Sequence, residues 1–342
     1  MDSSTVHSEE KASVQASARP TLSVVIPVFN GAEYLEHCLR ALRDCGHPLT
    51  DLIVVDDGSV DESAEVAKRF GATVLRLCRN EGPAWARNVG AREATGDILV
   101  FLDADAEVHA DTLSSIEERF ANEAELDALM GSYDDKPSDP GFISRYRNLL
   151  HCHTHQVSAG NTSTFWAGCG AVRREVFWAH GGFDQSVRCI EDIELGLRMA
   201  ADGRRIALDP GLQVRHRKMW SLWSMVRTDV FVRAIPWTRL MLEHRRFPTD
   251  LNVRWSQRLS VLVAGVLFVL ASSWFWTRAT APLVAGVLVY VALNSSFLIF
   301  LARTQGSAFA VRSVPLHMLY HLYCGMSFAA GICLHALRQG HR

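Results

Sequence analysis

The stretch ILVFLDAD, residues 98–105, passes from five apolar residues into two carboxylates, Asp103 and Asp105. An apolar run this short is typical of a strand in the middle of a parallel sheet, where both faces are covered. Ligands of open α/β sheets bind beyond the carboxyl ends of the strands, and two carboxylates there suit a hard divalent cation. A polar turn after a core strand has the same sequence pattern, so the rest of the chain has to distinguish the two interpretations.

Strands and helices alternate before this stretch. Three earlier strands are predicted from apolar runs at 22–29, 52–55 and 72–78. Each is followed by apolar residues at helical spacing, and the first two end at Asn30 and at Asp56-Asp57. This alternation predicts an α/β fold with a mostly parallel sheet and flanking helices. The polar strand ends then meet around one crevice, which helix capping alone does not explain.

Length, charge and cysteine content limit the class of protein. A chain of 342 residues is long enough for one large α/β domain and a further part, and 35 basic against 37 acidic residues argue against a general nucleic-acid binder. The eight cysteines are scattered without a C-x-x-C pair, which favours free thiols in a reducing compartment. The first 20 residues lack an apolar signal segment and are rich in Ser, Ala and Glu, so we expect a disordered tail.

Four blocks of sequence occur in an order that resembles the family 2 glycosyltransferases of the GT-A fold. The blocks are SVVIPVFN at 23–30, VVDDGS at 54–59, NEG with ARNVG at 80–90, and GD with FLDAD at 96–105. The resemblance extends over residues 22–237. It implies an inverting enzyme that takes a sugar from a nucleotide-diphosphate donor and uses Mg²⁺ or Mn²⁺.

The resemblance also implies a nucleotide-binding role for five residues. Phe29 would pack against the nucleobase, and Asp57 would accept a hydrogen bond from a base N–H, with Asp56 beside it. Arg87 and Asn88 would help to hold either the diphosphate or the edge of the domain. From the sequence alone, Asn88 fits a salt-bridged helix face equally well.

Three residues are the implied metal ligands. Asp105 would be the principal ligand, Asp103 would face both the ribose and the metal, and His216 matches a third ligand in some relatives. A group of three histidines, His151, His153 and His155, lies between Asp105 and His216 in the segment YRNLLHCHTH. On a helix the first and the last of these share a face, but the spacing of a zinc site is missing. We expect them to line the acceptor side of the crevice.

A second acidic site lies in the segment IEDIELGLR, residues 190–198. Glu191 and Asp192 fall in the first turn of a predicted helix, where acids also complement the helix dipole. The resemblance implies that this pair supplies the general base, the carboxylate that accepts the proton of the acceptor hydroxyl. We expect Asp192 to be the base and Glu191 to orient the acceptor or the base.

The sequence changes character after the second acidic site. Ten Lys or Arg and three acids occur in residues 215–258, interleaved with Trp220, Trp223, Trp237 and Trp255. Such a segment suits an anionic membrane surface, or it could clamp the phosphate of an acceptor. The Gln-x-x-Arg-Trp element of processive polysaccharide synthases is absent, because Val-Arg-His follows Gln213, and this argues against polymerisation.

Three apolar segments follow, at 259–276, 282–302 and 314–337. Each is close to the roughly 20 residues that a bilayer span needs. The third also carries histidines and tyrosines, so it is either a span or a helix packed in the interface. The flanks of the first two carry Arg254, Arg258, Arg303 and Arg312, which places both flanks on the cytoplasmic side.

The sequence thus predicts a tail at 1–20, a GT-A catalytic domain at 21–237, a basic and aromatic juxtamembrane segment at 238–258 and a membrane region at 259–337. We expect an integral membrane protein whose cytoplasmic domain transfers a sugar from a nucleotide donor to an acceptor hydroxyl or phosphate. The favoured acceptor is lipid-linked, such as a polyprenyl phosphate or a glycolipid, and no nucleic acid is involved. Two alternatives stay open: a sugar nucleotidyltransferase, although the turn after the first strand has only one glycine, and an inactive membrane scaffold.

Overall fold

The structure is a computed structural model that describes residues 19–249, 251–278 and 280–339. The predicted disordered tail lies outside the described residues, except for Arg19 and Pro20. The strands are β1 (Leu22–Val28), β2 (Asp51–Asp56), β3 (Thr73–Arg76), β4 (Ile98–Leu102), β5 (Ala106–Val108), β6 (Ala128–Tyr133), β7 (Gly160–Thr162), β8 (Cys169–Arg173) and β9 (Ile206–His216).

The helices fall into two groups. Those around the sheet are α1 (Ala32–Cys45), α2 (Ser63–Arg69), α3 (Pro83–Glu93), α4 (Thr112–Asn122), α5 (Phe142–Gln156), α6 (Arg174–Ala179) and α7 (Glu191–Ala201). The later ones are α8 (Leu222–Arg227), a π-helical segment (Thr228–Ala234), α9 (Ile235–Glu243), a 3₁₀ turn (Leu251–Val253), α10 (Trp255–Thr277), α11 (Thr280–Leu293), α12 (Ser295–Gln305) and α13 (Ser307–Gln339).

The nine strands form one mixed sheet in the order β3-β2-β1-β4-β8-β6-β9-β5, with β7 paired to β9. The predicted α/β class is confirmed, and pairing is parallel through β3, β2, β1 and β4. Beyond β4 the sheet changes direction, because β8 begins with Cys169 opposite Leu102 and runs back along β4. The short strand β5, which the sequence did not indicate, pairs antiparallel with the end of β9.

The core occupies both faces of the sheet. Every residue of β4 is buried, as the opening stretch predicts. Val100 and Leu102 pack with α1 and α4 on one face, whereas Leu99 and Phe101 pack with α3, α6 and α7 on the other. Burial on both faces removes this strand from solvent, so the carboxylates that follow it are held at a fixed position.

The C-terminal helices agree only in part with the predicted spans. Among the described residues, α10 is the one single helix long and apolar enough to cross a membrane. The second predicted span is not one continuous helix, because α11 and α12 meet at an angle of 69° and satisfy the same criterion only as a pair. The third predicted segment lies within α13, which contains Pro315 and does not satisfy it.

A buried amide accounts for the break between α11 and α12. The Nδ2 atom of Asn294 donates to the Ser260 hydroxyl at 3.0 Å and to the Tyr290 carbonyl at 2.9 Å, and its Oδ1 accepts from His317 Nε2 at 3.0 Å. The other ring nitrogen of His317 accepts from the Tyr146 hydroxyl of α5 at 2.8 Å. A side chain that bonds into the helical ladder is a recognised cause of a kink, and this one also ties the apolar helices to the sheet domain.

Candidate active site

The carboxyl ends of β1 and β2 form one side of the crevice. The side chain of Phe29 is 50% exposed there, which leaves its ring accessible to a planar ligand. Asp57 is buried and accepts the backbone N–H groups of Glu81 and Gly82 at 2.8 and 2.9 Å. Asp56, also buried, accepts the backbone N–H of Ser59 at 2.8 Å. The two acids thus shape the loops on either side of the crevice.

Arg87 of α3 connects the end of β4 to the second acidic site. Its guanidinium donates to Asp103 Oδ1 at 2.6 Å and to the Glu191 carboxylate, and its side chain is 7% exposed. Asn88 instead exchanges two hydrogen bonds with the backbone of Phe183, at 2.7 and 2.9 Å. This contact joins α3 to the loop between α6 and α7, and the role predicted for Asn88 stays a prediction.

Asp105 and His216 are brought together by the pairing of β5 with β9. Ala106 lies opposite His216 in this ladder, and the Nε2 atom of His216 lies 3.5 Å from Asp105 Oδ2. The other ring nitrogen, Nδ1, donates to Asn148 Oδ1 at 2.6 Å, which holds the ring with Nε2 toward Asp105. The ring stacks on Tyr133 with 4.1 Å between centroids.

The donor set at this point fits two ligands of a divalent cation. Burial alone would raise the pKa of Asp105, but the charge and hydrogen bond of His216 lower it below its ordinary value, so the carboxylate stays ionised. Asp103 is drawn toward Arg87, and the described residues contain no group of three or more His, Cys, Asp or Glu side chains that could hold a metal. Further oxygen ligands would therefore have to come from a diphosphate or from water.

Glu191 and Asp192 begin α7, as expected, after a strained residue. Ile190 has φ of 63°, a left-handed conformation that is a genuine outlier for a β-branched side chain. The helix then packs directly on the chain at residues 164–165, since a Cβ on Gly196 would lie 2.3 Å from the Phe165 nitrogen. Strain of this kind persists only where packing enforces it, and it is often found at functional sites.

The two acids differ in their partners. Glu191 pairs with Arg87, whereas the carboxylate of Asp192 accepts the backbone N–H groups of Ala167 at 3.1 Å and Ile193 at 2.8 Å. Burial raises the pKa of Glu191 to about 7 in spite of Arg87, and burial also raises the pKa of Asp192. Of the pair, Asp192 is the carboxylate without a direct salt bridge, which is the more suitable state for a group that accepts a proton.

The three histidines of α5 separate as their spacing predicts. The rings of His151 and His155 lie 4.1 Å apart and pack beside Trp166, whereas His153 bonds the hydroxyl of Ser296 at 3.0 Å. Burial lowers the pKa of His151 well below its ordinary value and that of His155 to about 4, so both rings are neutral. They form part of the wall behind Tyr133, beside the Asp105–His216 pair.

Sequence reasoning missed four residues of this arrangement. Tyr133 and Asn148 support His216, Ile190 sets the entry to α7, and Arg233 is near enough to Asp192 to interact with its charge. Tyr133 closes a predicted strand and Asn148 stands one turn before the histidine cluster, so their positions could have been noticed. Their contact with His216 could not, because it depends on the packing of α5 against β6 and β9.

Comparisons with known proteins assign the family. The model of the family described as "Glycosyl transferase family 2" matches residues 23–181. Glycosyltransferase AglE of Haloferax volcanii is 37% identical over 100 residues, which are 27% of this chain and 33% of that protein. The uncharacterized glycosyltransferase EpsJ of Bacillus subtilis is 27% identical over 209 residues, or 57% of this chain and 60% of that protein. The chain thus spans less than two thirds of either relative.

A solved structure agrees with the fold over most of the chain. The mannosyltransferase PcManGT from Pyrobaculum calidifontis, solved in complex with GDP-Man and Mn²⁺, is similar with a TM-score of 0.58 and 21% identity. The similarity covers 90% of this chain and 89% of that one, so it extends past the sheet domain. Together with the family match and the curated relatives, it confirms the resemblance drawn from the sequence blocks. Residues 23–181 thus carry a domain of glycosyl transferase family 2.

Proposed function

We propose that the protein is an inverting glycosyltransferase that moves a sugar from a nucleotide-diphosphate donor to a lipid-linked acceptor at the cytoplasmic leaflet of a membrane. The observation that carries the proposal is the two-sided site around Arg87. Its guanidinium bonds Asp103, at the end of β4, and Glu191, which directly precedes Asp192. A donor bound beyond β4 would therefore present its sugar toward a carboxylate that is free to accept a proton.

The donor side has a place for each part of a nucleotide sugar. The exposed ring of Phe29 offers a stacking surface for the base, and the loop that Asp57 holds lies beside it. Asp105 and His216 would hold Mg²⁺ or Mn²⁺, and the similar mannosyltransferase was solved with GDP-Man and Mn²⁺. When bound, the cation would supply charge neutralisation for the departing diphosphate.

The acceptor side supplies the proton transfer. Asp192 accepts the proton of the acceptor hydroxyl while that oxygen forms a bond to the anomeric carbon. The bond from the anomeric carbon to the diphosphate breaks at the same time, and its electron pair leaves with the nucleoside diphosphate. Attack from the side opposite the leaving group inverts the configuration in one step, so no nucleophilic carboxylate is needed. A phosphate acceptor that is already ionised would not need the base.

The membrane part of the proposal rests on the C-terminal helices. Leu262, Phe268 and Val269 of α10 are 66%, 58% and 63% exposed, so the helix presents an apolar surface that water would not tolerate. Trp223 and Phe231 of the preceding basic segment are exposed as well, as expected for helices that lie in a membrane interface. The arginines at both flanks favour a cytoplasmic sheet domain.

Two substitutions test the proposed chemistry because they should fail for different reasons. Asp105→Ala should abolish transfer and weaken Mn²⁺-dependent binding of the donor. Asp192→Asn should abolish transfer to an acceptor hydroxyl, though not to an ionised phosphate, and should leave donor binding nearly intact, since this residue acts on the acceptor. The measurements are transfer to lipid extract and donor titration with Mn²⁺, with Asp184→Asn as a control for a surface carboxylate.

The result decides between the alternatives as well. Equal loss of donor affinity in both variants would contradict the division of roles. Formation of a nucleotide sugar and pyrophosphate from a sugar 1-phosphate and a nucleoside triphosphate would identify a nucleotidyltransferase, and no turnover with any donor would favour a scaffold. Transfer to soluble acceptors that ignores lipid extract would contradict the lipid-linked acceptor.

A further inference from the structure

A cavity of about 480 Å³ lies between α9, α10 and α13, outside the crevice already described. Its wall is mostly apolar and includes Trp237, Met241, Val261, Leu262 and Phe328. Leu262 belongs to the helix that is long and apolar enough to cross a membrane, and it is 66% exposed. The cavity therefore adjoins the surface that we assign to the bilayer.

The charged groups in this wall are unequal in number. Three arginines line the cavity, Arg147, Arg233 and Arg258, and the only carboxylate among its lining residues is Asp229. Asp229 is already occupied, because it accepts from Arg147 at 2.8 Å and from the Tyr323 hydroxyl at 2.7 Å. The lining therefore keeps an excess of positive charge in apolar surroundings, which is costly unless an anion enters.

Of the three arginines, Arg233 is the one whose charge has no partner among the residues that the structure describes. Arg258 donates to the carbonyls of Val253 and Pro248, both at 2.8 Å, and its guanidinium lies over Trp255. Arg233 makes no hydrogen bond or ion pair with any residue that the structure describes. Burial, with the nearby charge of Arg147, lowers its pKa. A half-buried guanidinium without a partner among the described residues offers donors in a geometry that matches a phosphate group.

Arg233 also interacts electrostatically with residues of the crevice. The carboxylate of Asp192 is near enough to stabilise the charge of Arg233, and Arg233 in turn lowers the pKa of His151 and His155. An anion held by Arg233 would thus lie on the acceptor side of the crevice. The cavity volume falls in the range of about 300 to 1,000 Å³ that small-ligand sites occupy.

We propose that this cavity binds the phosphate of a polyprenyl phosphate acceptor through Arg233, with the first part of its apolar chain against α10 and α13. This inference rests on the proposed function and names its acceptor and the residue that recognises it. A neutral glycolipid would leave Arg233 without a partner, and a free phosphate would leave the apolar wall exposed. Only an anionic amphiphile would contact both the guanidinium of Arg233 and the apolar wall of the cavity.

The test is direct binding to the detergent-solubilised full chain, measured by native mass spectrometry. The probes are a polyprenyl monophosphate, the polyprenol of the same length, phosphatidylglycerol and inorganic phosphate. We expect the polyprenyl monophosphate to bind most tightly. Arg233→Gln should weaken that binding about tenfold or more, the size expected for a charged hydrogen bond, and Arg233→Lys should restore part of it. Arg227→Gln, an exposed arginine of α8 outside the cavity, should change nothing.

Several outcomes would overturn the inference. These are equal binding of the alcohol and the phosphate, equal binding of phosphatidylglycerol, full competition by inorganic phosphate, or an unchanged Arg233→Gln variant with a normal thermal unfolding midpoint. Failure of the proposed function gives a different result. If the lipid phosphate binds as expected but no sugar is transferred, the binding site stands and the activity does not. If sugar is transferred to soluble acceptors and no lipid phosphate binds, the activity stands and this site does not.

Discussion

The Nε2 atom of His216 faces Asp105 at 3.5 Å because the short strand β5 pairs with the last residues of β9. The aspartate comes from the parallel half of the sheet and the histidine from the antiparallel half. Asn148 of α5 completes the arrangement, because its Oδ1 accepts a hydrogen bond from the opposite ring nitrogen, Nδ1. Three elements far apart in the chain thus orient this pair of side chains.

The first prediction concerns this orientation. Asn148→Ala removes the acceptor for the Nδ1 proton, so the ring is no longer held with Nε2 toward Asp105. Loss of such an outer partner typically lowers metal affinity about 10- to 100-fold. We expect a change of this size in the Mn²⁺ concentration that half-saturates the protein, measured by electron paramagnetic resonance. Asn122→Ala, an exposed asparagine at the end of α4, is the control, and unchanged Mn²⁺ affinity in both Asn148→Ala and His216→Ala would contradict the metal site.

The second prediction concerns Arg87. Arg87→Ala leaves Glu191, whose side chain is 5% exposed, without its salt-bridge partner. Breaking a buried pair from one side costs about 3 to 5 kcal/mol, so the thermal unfolding midpoint should fall and transfer should be lost. Arg92→Ala removes an exposed arginine from the same helix and should preserve both. A full-length Arg87→Ala variant with unchanged unfolding would show that the bridge does not support the fold.

The third prediction is a pH dependence of stability. Glu191 has a pKa of about 7 in the folded chain against an ordinary value of 4.5, and burial is the main cause. Between these two values the folded chain binds more protons at this site than the unfolded chain does. The free energy of unfolding therefore decreases as pH rises through this window, by at most about 1.4 kcal/mol per pH unit.

Glu191→Gln cannot titrate, so this contribution should disappear from the variant. The measurement is the unfolding midpoint of both proteins at intervals from pH 4.5 to 7.5, and the informative quantity is the difference between the two curves. We expect the variant to gain stability relative to the natural chain as pH rises. A constant difference across the window would contradict a raised pKa.

The fourth prediction concerns the C-terminal helices. Asn294→Leu removes the amide that bonds Ser260 and His317 and leaves both without that partner. Polar contacts between apolar helices contribute about 0.6 to 2 kcal/mol each, so the unfolding midpoint in detergent should fall. Ser272→Ala, on an exposed part of α10, should leave it unchanged. A more stable Asn294→Leu variant would mean that the bend between α11 and α12 is not maintained by the amide.

The sequence predicted the parallel part of the fold because each element there carries its own local signal. Every buried residue of β4 is apolar, and the turns after β1, β2 and β4 end in polar residues that meet at one edge. The family resemblance then suggested roles for Asp105 and Asp192, which stay predictions, without any knowledge of their contacts. Local pattern and family resemblance agree in this half of the chain.

The antiparallel part was not predictable in the same way. Strand β5 has three residues, too few for an alternation pattern, and it exists because β9 extends beside it. Apolar content also identified residues 282–302 as one span, but content alone does not report a buried asparagine that bends the helix. The cavity around Arg233 depends on which arginines find partners, and pairing between distant helices is a property of the packed structure alone.

Because Ala106 pairs with His216, the distance between the two proposed metal ligands does not depend on the length of the loops between them. It depends instead on the register of β5 against β9. Insertions in the loops between α4 and α7 lengthen the chain between Asp105 and His216 without moving either. A deletion of one residue within β9, between Val214 and His216, would move the histidine to the opposite face of the sheet. Related chains can therefore differ widely in loop length, but the register of β5 against β9 has to stay the same.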